Sequence, residues 1–338
     1  MIDLRAAAKV ELHRHLEGSL RVGTVFELAA GHGARTPQEL ADRIEVRAPM
    51  RDLMAVLGAF DLFQRAFVSV EATERMAFEV VEDAARENVR LLELRFSPDF
   101  LCRPHGLDWD AAMEAIVRGG RRAAREHGVL LGLIAIVSRG YGVTSAERTA
   151  DFALRWKHEL CGFDLADDEV RFPSRLFEGP VRRVREAGLP VTVHSGEGTW
   201  PANVLEALDA LLPRRLGHGT AVAQSEPLVE RVRREGIALE MCPSSNERTR
   251  AVPSLAAHPA RELLGRGLRV TLNSDDPGLF AIDLTHELEV ARGALGFTDA
   301  DLAACTRNAL DASFLPAADK AAVRARHLGW IDSVAASQ

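Results

Sequence analysis

Eight short apolar runs alternate along the chain with longer segments in which apolar residues recur at helical spacing. The runs predict β-strands at residues 10–15, 91–96, 130–137, 162–165, 191–194, 215–218, 238–241 and 270–273. The third run is apolar on both faces, which is typical of a parallel strand buried between two layers. The segments between the runs, such as 111–127 and 180–188, are amphipathic with a helical period, and Gly188 is a candidate C-cap.

Strands that alternate with helices indicate βαβ units, and eight of them predict an α/β fold of the (β/α)₈ TIM-barrel type. An open, doubly wound sheet is the alternative. That fold would need a glycine-rich, phosphate-binding turn after an early strand. The segments 196–198 and 217–219 hold only two glycines each, so the open sheet is disfavoured.

The connection between the first two predicted strands is much longer than the others. It contains an apolar helical segment at residues 50–67, inserted between strands 1 and 2, with Leu53, Leu57 and Phe63 among its apolar residues. We expect most of this segment to pack on the barrel wall. Because the loops at the carboxyl ends of barrel strands build the active site, part of it could instead cover the mouth as a mobile lid.

Ionisable residues recur where four of the predicted strands end. His13 and His15 form an H-x-H pair at the first strand, and residues 194–197, 217–219 and 273–276 end the fifth, sixth and eighth. Each alone has a structural explanation, such as surface histidines on a strand or a helix N-cap aspartate. Four such endings on one face of a barrel are not needed for packing, so we interpret them as a site.

Three histidines and a carboxylate in this arrangement predict a mononuclear site for zinc or a similar divalent ion, with a position left for water. Such an ion lowers the pKa of its water towards neutrality. A nearby histidine can take or hold the water's proton, and a glutamate can hand a proton to the substrate. This set of groups predicts metal-assisted hydrolysis.

Composition and charge leave room for this interpretation and disfavour others. The chain has 338 residues with a formal net charge of −7, which argues against a nucleic-acid binder. No run is long and apolar enough for a bilayer, and residues 1–5 lack the apolar core of a signal peptide. The four cysteines are scattered without C-x-x-C spacing, so we expect reduced thiols and a cytoplasmic location.

The motifs at the strand ends resemble those of the adenosine deaminase family within the amidohydrolase superfamily. The matching segments, in order, are 10–18 (VELHRHLEG), 162–169 (GFDLADDE), 194–197 (HSGE), 215–219 (RLGHG), 242–246 (CPSSN) and 272–277 (LNSDDP). Together they span nearly the whole chain. The resemblance implies one hydrolase domain over residues 1–338 that deaminates a 6-aminopurine nucleoside, most simply adenosine or 2′-deoxyadenosine, to the inosine product and ammonia.

The resemblance also implies a role for particular residues. The implied ligands of one Zn²⁺ per chain, or of another divalent ion, are His13, His15, His194 and Asp275. The implied catalytic residues are Glu197, His218 and Asp275. Glu197 would protonate the purine ring nitrogen next to the reacting carbon, and His218 would orient and deprotonate the attacking water. Because Glu197 must then be protonated when substrate binds, we expect its pKa to be raised by a water-poor site.

The implied substrate-binding residues are His15, Glu17, Asp167 and Asp276. Asp276 would bind the imidazole side of the purine, and Glu17 stands where the family usually has a ribose-binding aspartate. Asp167 departs from the pattern, because the family usually has a glycine there that offers its backbone N–H. Its carboxylate either points away from the ring, into solvent or onto the next segment, or alters the substrate.

Three arginines in loops, Arg139, Arg248 and Arg250, could reach the barrel mouth. An inward arginine would favour a carboxylate-bearing substrate such as 6-aminodeoxyfutalosine. Adenine and a catalytically silent purine-binding role are further alternatives. A binuclear hydrolase is disfavoured because the fourth strand has no lysine, and the H-x-E with P-C-x-x-C pattern of the cytidine-deaminase type is absent. The oligomeric state stays open.

Overall fold

The computed structural model describes residues 1–29 and 33–335. Its eight strands occur where the apolar runs predict them, and their ends differ from the predicted ends by at most two residues. They are β1 (Lys9–His15), β2 (Val89–Phe96), β3 (Leu130–Ser138), β4 (Gly162–Ala166), β5 (Thr192–Ser195), β6 (Arg215–His218), β7 (Ala238–Met241) and β8 (Arg269–Leu272).

Helices follow the strands and form the outer layer. They are α1 (Val22–Leu28), α2 (Pro37–Ile44), α3 (Leu53–Ala59), α4 (Asp61–Gln64), α5 (Val70–Arg86), α6 (Pro98–Cys102), α7 (Trp109–His127), α8 (Gly142–Arg155), α9 (Glu178–Glu186), α10 (Pro201–Leu211), α11 (Glu226–Glu235), α12 (Pro243–Arg248), α13 (Ala260–Gly265), α14 (Pro277–Phe280), α15 (Leu284–Gly293), α16 (Asp299–Ala312), α17 (Ala317–His327) and α18 (Gly329–Ala335).

The ends of the long helices follow from local chemistry. The Asp108 side chain accepts a hydrogen bond from the Ala111 N–H at the start of α7, which satisfies one of the free backbone donors there. The same helix ends at Gly128, whose φ of 68° lies in the left-handed region that favours glycine. Ser69 caps α5 in the same way as Asp108 caps α7. These contacts set the lengths of the two helices that pack against β2 and β3.

All strands pair in parallel and close into a barrel. The pairs run β1-β2-β3-β4 and β5-β6-β7-β8. The two halves are joined where Phe163 of β4 bridges to Val191 and where Arg14 of β1 bridges to Asp275. The (β/α)₈ barrel predicted from the sequence is therefore confirmed.

The register of the second half leaves room for the histidines. His194 of β5 pairs with Gly217 of β6, and Gly217 pairs with Glu240 of β7. A Cβ atom at Gly217 would lie 3.0 Å from His13 Cε1 and 3.2 Å from His194 Cγ, closer than ordinary contact. Glycine at this position therefore lets the two imidazoles lie side by side.

The barrel interior is charged, although the strands are apolar where they face the helices. Arg95 of β2 lies between Asp164 of β4 and Glu240 of β7, and all three are fully buried. Arg215 of β6 pairs with Glu240 and with Glu93 of β2. Buried charges persist in a protein when they are paired and hydrogen-bonded, as here. The sequence pattern predicted apolar strands and did not predict this network.

The insertion between β1 and β2 holds helices α1 to α5, and the predicted segment 50–67 is two short helices, α3 and α4. Phe63 and Phe67 are buried in the main apolar core, as expected for a helix packed on the barrel wall. Leu53, Met54 and Leu57 line the cavity at the barrel mouth instead. The segment thus packs on the barrel wall and also lines the mouth, and its role as a mobile lid stays a prediction.

Among the described residues, none of the helices has the length and apolar character needed to cross a bilayer.

Candidate metal centre and active site

Three histidines and one aspartate converge at the carboxyl end of the barrel. His13 and His15 end β1, His194 lies in β5, and Asp275 follows β8. Nε2 of His15 lies 3.3 Å from Nε2 of His13 and 3.2 Å from Nε2 of His194. Oδ1 of Asp275 lies 3.2 Å from Nε2 of His13 and 3.3 Å from Nε2 of His15. We call these four residues the strand-end cluster.

The contacts of the Nδ1 atoms show which tautomer His13 and His194 adopt. Nδ1 of His13 lies 2.8 Å from Glu240 Oε2, and Nδ1 of His194 lies 3.2 Å from Asp164 Oδ1. Because a carboxylate only accepts, Nδ1 carries the hydrogen in both rings and the lone pair is on Nε2, inside the cluster. Burial lowers the pKa of His15 to about 4 and also lowers that of His194, which favours the neutral rings that bind metals.

This donor set suits a divalent metal. Lone pairs that face one another at hydrogen-bond distance repel unless a cation lies between them. A metal with ligands at about 2.0–2.1 Å in a tetrahedral arrangement sets neighbouring ligand atoms about 3.3 Å apart, which matches the four distances in the strand-end cluster. Three imidazoles and a carboxylate are ligands that zinc accepts well.

Asp164 and Glu240 hold the cluster histidines, and Arg95 holds both carboxylates. Arg95 Nη1 donates to Asp164 Oδ2 at 2.7 Å, and Nη2 donates to Glu240 Oε2 at 2.8 Å. A carboxylate on the outer nitrogen of a ligating histidine fixes its tautomer and orientation. These three residues had no predicted role. The signal that could have found them is a charged residue inside an otherwise apolar strand.

His218, at the end of β6, lies beside the cluster. Its ring centroid is 4.9 Å from that of His13 and 5.2 Å from that of His194. Ligand atoms of His13, His194, His218 and Asp275 all lie within 4.8 Å of one another, so His218 is a geometric competitor of His15 as a metal ligand. Both nitrogens of His218 have other neighbours, however. Nδ1 lies 2.9 Å from Asn246 Nδ2, and Nε2 lies 3.3 Å from Glu197 Oε2.

The loop after β5 holds Glu197 over the cluster, and Glu169 fixes that loop. The Glu169 carboxylate accepts hydrogen bonds from Ser195 Oγ at 2.9 Å, Gly196 N at 3.1 Å and Glu197 N at 2.9 Å. Arg139 Nη2 donates to the carbonyl of the preceding His194 at 3.1 Å. The turn needs glycine at 196, where φ is 79° and a Cβ would lie 2.8 Å from Val204 Cγ2.

Burial raises the pKa of Glu197 to about 8, and the nearby Asp275 carboxylate acts in the same direction. The carboxyl therefore holds its proton at neutral pH, which is the state that a proton donor needs. The strand-end pattern pointed to Glu197 but not to Glu169 and Arg139, which support it. Glu169 lies within one of the quoted motifs and was given no role.

A cavity of about 460 Å³ opens above the cluster and is lined by His15, Glu17, Asp167, Glu197 and Asp276. Its size is that of a site for a small organic ligand. Glu17 Oε1 accepts a hydrogen bond from Ser97 N at 2.5 Å. Among the described residues, the buried Glu17 Oε2 and Asp276 Oδ1 have no hydrogen-bond partner. A ligand with hydrogen-bonding groups would satisfy both oxygens.

Burial raises the pKa of Glu17 to about 7. The pKa of Asp276 is also raised, chiefly by burial and then by the neighbouring Asp275 and Glu17 carboxylates. Both groups can therefore exchange a proton with a ligand as it binds.

Asp167 follows β4 with φ at 86°, a left-handed conformation that aspartate tolerates better than most side chains. Its carboxylate accepts hydrogen bonds from Asp168 N at 2.7 Å and from Gly140 N at 3.1 Å, while the residue still lines the cavity. The carboxylate thus ties the loops after β3 and β4 together. Both interpretations from the sequence retain support, because the side chain caps the next residue and faces the cavity wall.

The loop arginines do not point into the mouth. Arg139 donates to the carbonyls of Phe172 and His194, Arg248 donates to the carbonyl of Phe280, and Arg250 donates to that of Met50. The condition under which the sequence would favour a carboxylate-bearing substrate, an inward arginine at one of these positions, is therefore not met, since all three guanidinium groups donate to backbone carbonyls. The arginine that does line the cavity is Arg171, and it is paired with Asp168.

Comparison with known proteins shows that the chain is similar to deaminases. The sequence profile described as adenosine deaminase matches residues 8–328. An adenosine deaminase from Shewanella denitrificans is 36% identical over 329 residues, which cover 96% of this chain and 99% of that protein.

Two solved structures are similar over nearly the whole chain. An adenine deaminase from Arthrobacter aurescens superposes with a TM-score of 0.89 at 29% identity, and the match covers 97% of this chain and 100% of that one. An amidohydrolase from Burkholderia ambifaria with bound zinc has a TM-score of 0.88 at 31% identity, covering 99% of this chain and 93% of that one.

Proposed function

The chain belongs to the adenosine deaminase family of hydrolytic purine deaminases, and we propose that it removes the 6-amino group of adenosine and 2′-deoxyadenosine. The observation that carries this proposal is the strand-end cluster facing Glu197 across a cavity of small-molecule size. A cluster of histidines is enough to bind a metal. Deamination of a purine also needs a proton donor for the ring nitrogen, and the protonated Glu197 above the cluster supplies it.

We assign the metal to His13, His15, His194 and Asp275, and propose zinc as the ion. The spacing of their ligand atoms and the carboxylate-held tautomers of His13 and His194 support this set. The zinc in the similar Burkholderia structure supports the choice of ion. When bound, such an ion lowers the pKa of a water molecule so that it can attack at neutral pH.

The protons of the reaction are moved by side chains of this site. Glu197 gives its proton to N1 of the purine, which makes C6 electrophilic, and the water oxygen bonds to C6 as its own proton passes to a base among His218 and Asp275. The new hydroxyl then returns a proton to Glu197 as the C6–O bond becomes a carbonyl. The base gives its proton to the amino group, the C6–N bond breaks, and ammonia leaves. Glu197 therefore begins and ends each cycle protonated.

Polar groups around the cavity would hold the nucleoside. Glu17 Oε2, buried and unpaired among the described residues, would accept from a ribose hydroxyl. Asp276 Oδ1, likewise unpaired, belongs to a carboxyl whose raised pKa favours the protonated form, and it would donate to N7 on the imidazole side of the purine. Asp167 would offer its backbone N–H to the ring. His15 lines the cavity as well and so limits where the ring can lie.

Adenine is the second candidate substrate, because the similar Arthrobacter structure is an adenine deaminase. A substrate with an added carboxylate, such as 6-aminodeoxyfutalosine, has lost its main support now that Arg139, Arg248 and Arg250 are seen to bind backbone carbonyls. We include 6-aminodeoxyfutalosine among the substrates of the test below.

The proposal is tested by ammonia release from adenosine, 2′-deoxyadenosine, adenine and 6-aminodeoxyfutalosine with the same zinc-loaded protein. We expect the highest kcat/KM for one of the two nucleosides without a carboxylate. A higher kcat/KM for adenine or for 6-aminodeoxyfutalosine would contradict the proposed substrate but not the proposed reaction, hydrolytic deamination. A metal-loaded protein inert towards all four would favour a purine-binding role.

Glu197→Gln tests the acid. Glutamine keeps the size of the side chain but has no proton to give to N1, so we expect kcat to fall by about 10²–10⁴-fold, the usual contribution of a general acid. Metal content by elemental analysis and the thermal midpoint should stay near those of the wild-type protein. Turnover close to wild type would remove Glu197 from the assigned role.

A further inference from the structure

We infer that His258 and Asn246 are positioning residues that fix His218 in the tautomer with its proton on Nε2. The three side chains form one hydrogen-bonded chain that ends over the cavity: His258 contacts Asn246, Asn246 contacts His218, and His218 faces Glu197. The tautomer follows from these contacts alone, and its catalytic meaning rests on the proposed deamination.

A backbone donor at His258 sets the donor-to-acceptor direction of these hydrogen bonds. The Ala260 N–H donates to Nδ1 of His258 at 3.2 Å. A backbone N–H can only donate, so Nδ1 of His258 is the ring nitrogen without a proton. Burial lowers the pKa of His258 to about 4, so the ring is neutral and its one proton is on Nε2. That proton points at Asn246 Oδ1, 3.0 Å away.

A second backbone donor fixes the amide in the middle. The Cys242 N–H lies 3.4 Å from Oδ1 of Asn246, on the same side as the His258 Nε2–H. If the amide were flipped, its NH₂ group would face two donors and lose both hydrogen bonds. The oxygen of Asn246 therefore faces Cys242 and His258, and its nitrogen faces Nδ1 of His218 at 2.9 Å.

His218 then has one arrangement left. Its Nδ1 accepts from Asn246, so the proton of the neutral ring is on Nε2, 3.3 Å from Glu197 Oε2. A nitrogen that carries a hydrogen has no lone pair for a metal. The geometric competition between His15 and His218 is therefore decided in favour of His15, whose Nε2 lies among the cluster's ligand atoms.

The tautomer also assigns the base. His218 faces the reacting centre as a donor, so it orients the water and stabilises the oxygen that attacks, but it does not take the proton. That proton passes to Asp275, which becomes the neutral acid. Asp275 later gives the proton to the departing amino group.

The direct test is ¹⁵N NMR of the zinc-loaded protein labelled at histidine, with the His218 signals assigned by their loss in His218→Gln. We expect Nδ1 of His218 to resonate as an unprotonated ring nitrogen and Nε2 as a protonated one. The opposite pattern in the wild-type protein overturns the inference, whatever the variants do. This readout does not depend on turnover, so failure of the proposed function would leave a different result from failure of the tautomer.

Asn246→Asp should reverse the hydrogen bond between residue 246 and Nδ1 of His218. A carboxylate at this position accepts a hydrogen bond from Nδ1 of His218, so the proton should move to Nδ1 and leave Nε2 bare. We expect kcat to fall by about 10²-fold or more, as when a catalytic histidine is held in the wrong tautomer, with a smaller change in KM. Wild-type kcat together with the reversed NMR pattern would show that the tautomer has no catalytic meaning.

His258→Leu and His258→Gln test the outer member. Leucine removes the donor to Asn246 Oδ1, whereas the glutamine amide can replace it, so kcat should fall in the first and recover in the second. His127→Leu is the matched control, because His127 is the last residue of α7 and does not line the cavity above the cluster. If His258→Leu had the kcat of the wild-type protein and unchanged His218 signals, His258 would not be a positioning residue for His218.

Discussion

Glu197 must keep a proton that an ordinary glutamate loses well below pH 7, and its surroundings raise its pKa to about 8. A raised pKa means that the donor form is present below that value and is lost as the pH rises through it. We therefore expect kcat/KM to fall on the alkaline side with an apparent pKa of about 8. The profile is measured with adenosine between about pH 6 and pH 10, and a flat alkaline side would contradict the role of Glu197.

Asp167 stands where the resemblance to the family predicts a glycine. Asp167→Gly would remove the carboxylate and its bonds to Gly140 N and Asp168 N, while a φ of 86° suits glycine. If the side chain tunes the substrate, the ratio of kcat/KM for adenosine over adenine should rise several-fold. Asp167→Asn is the control, because it keeps a side chain that can accept one of these bonds. An unchanged ratio in both variants would reduce Asp167 to a loop contact.

At the scale of one element, the loop after β5 depends on Glu169. In Glu169→Gln one acceptor oxygen becomes an NH₂ group that faces a hydrogen-bond donor of the Ser195–Glu197 turn, which costs about 1–3 kcal/mol for a buried unpaired group. We expect kcat to fall about tenfold because Glu197 is no longer held, with metal content unchanged.

Glu206→Gln is the matched control for Glu169→Gln, since Glu206 also accepts a backbone N–H, that of Arg175, but lies outside the loop. Equal kcat and equal thermal midpoints for the two variants would show that Glu169 does not support the loop.

The elements themselves were largely predictable. Each strand is a short apolar run, and its position follows from local pattern, so all eight were found. The break between α3 and α4 was not, because Phe60 continues the apolar spacing and itself keeps a helical backbone conformation. The Asp52 side chain that caps α3 is a local signal that could have given the start of that helix.

At the scale of the whole molecule, the contacts that build the site join residues far apart in sequence. His13 and Glu240 are 227 residues apart, and Ser274 binds Glu11 across 263 residues. Strand-end motifs predicted which residues meet, because a barrel places all carboxyl ends on one face. They could not predict the partners inside the barrel, Asp164, Glu240 and Arg95, since nothing local requires a charge there. One domain over residues 1–338 and a cytoplasmic location stay predictions.

Metal binding should stabilise the whole chain. A ligand that binds only the folded protein adds about 4 kcal/mol at a free concentration of 1,000 times its Kd, so chelation should lower the thermal midpoint by several degrees. His15→Asn should lose this difference between metal-loaded and chelated protein, and His218→Asn should keep it. If His218→Asn lost this difference and His15→Asn kept it, the metal ligand would be His218 and not His15.

The most direct measurement is anomalous X-ray diffraction from crystals of the zinc-loaded protein, recorded above and below the zinc absorption edge. We predict one peak per chain, about 2.0–2.2 Å from Nε2 of His13, His15 and His194 and from a carboxylate oxygen of Asp275. Nε2 of His218 should lie outside bonding distance. A peak bound to His218 in place of His15, or full zinc occupancy away from these side chains, would contradict the account.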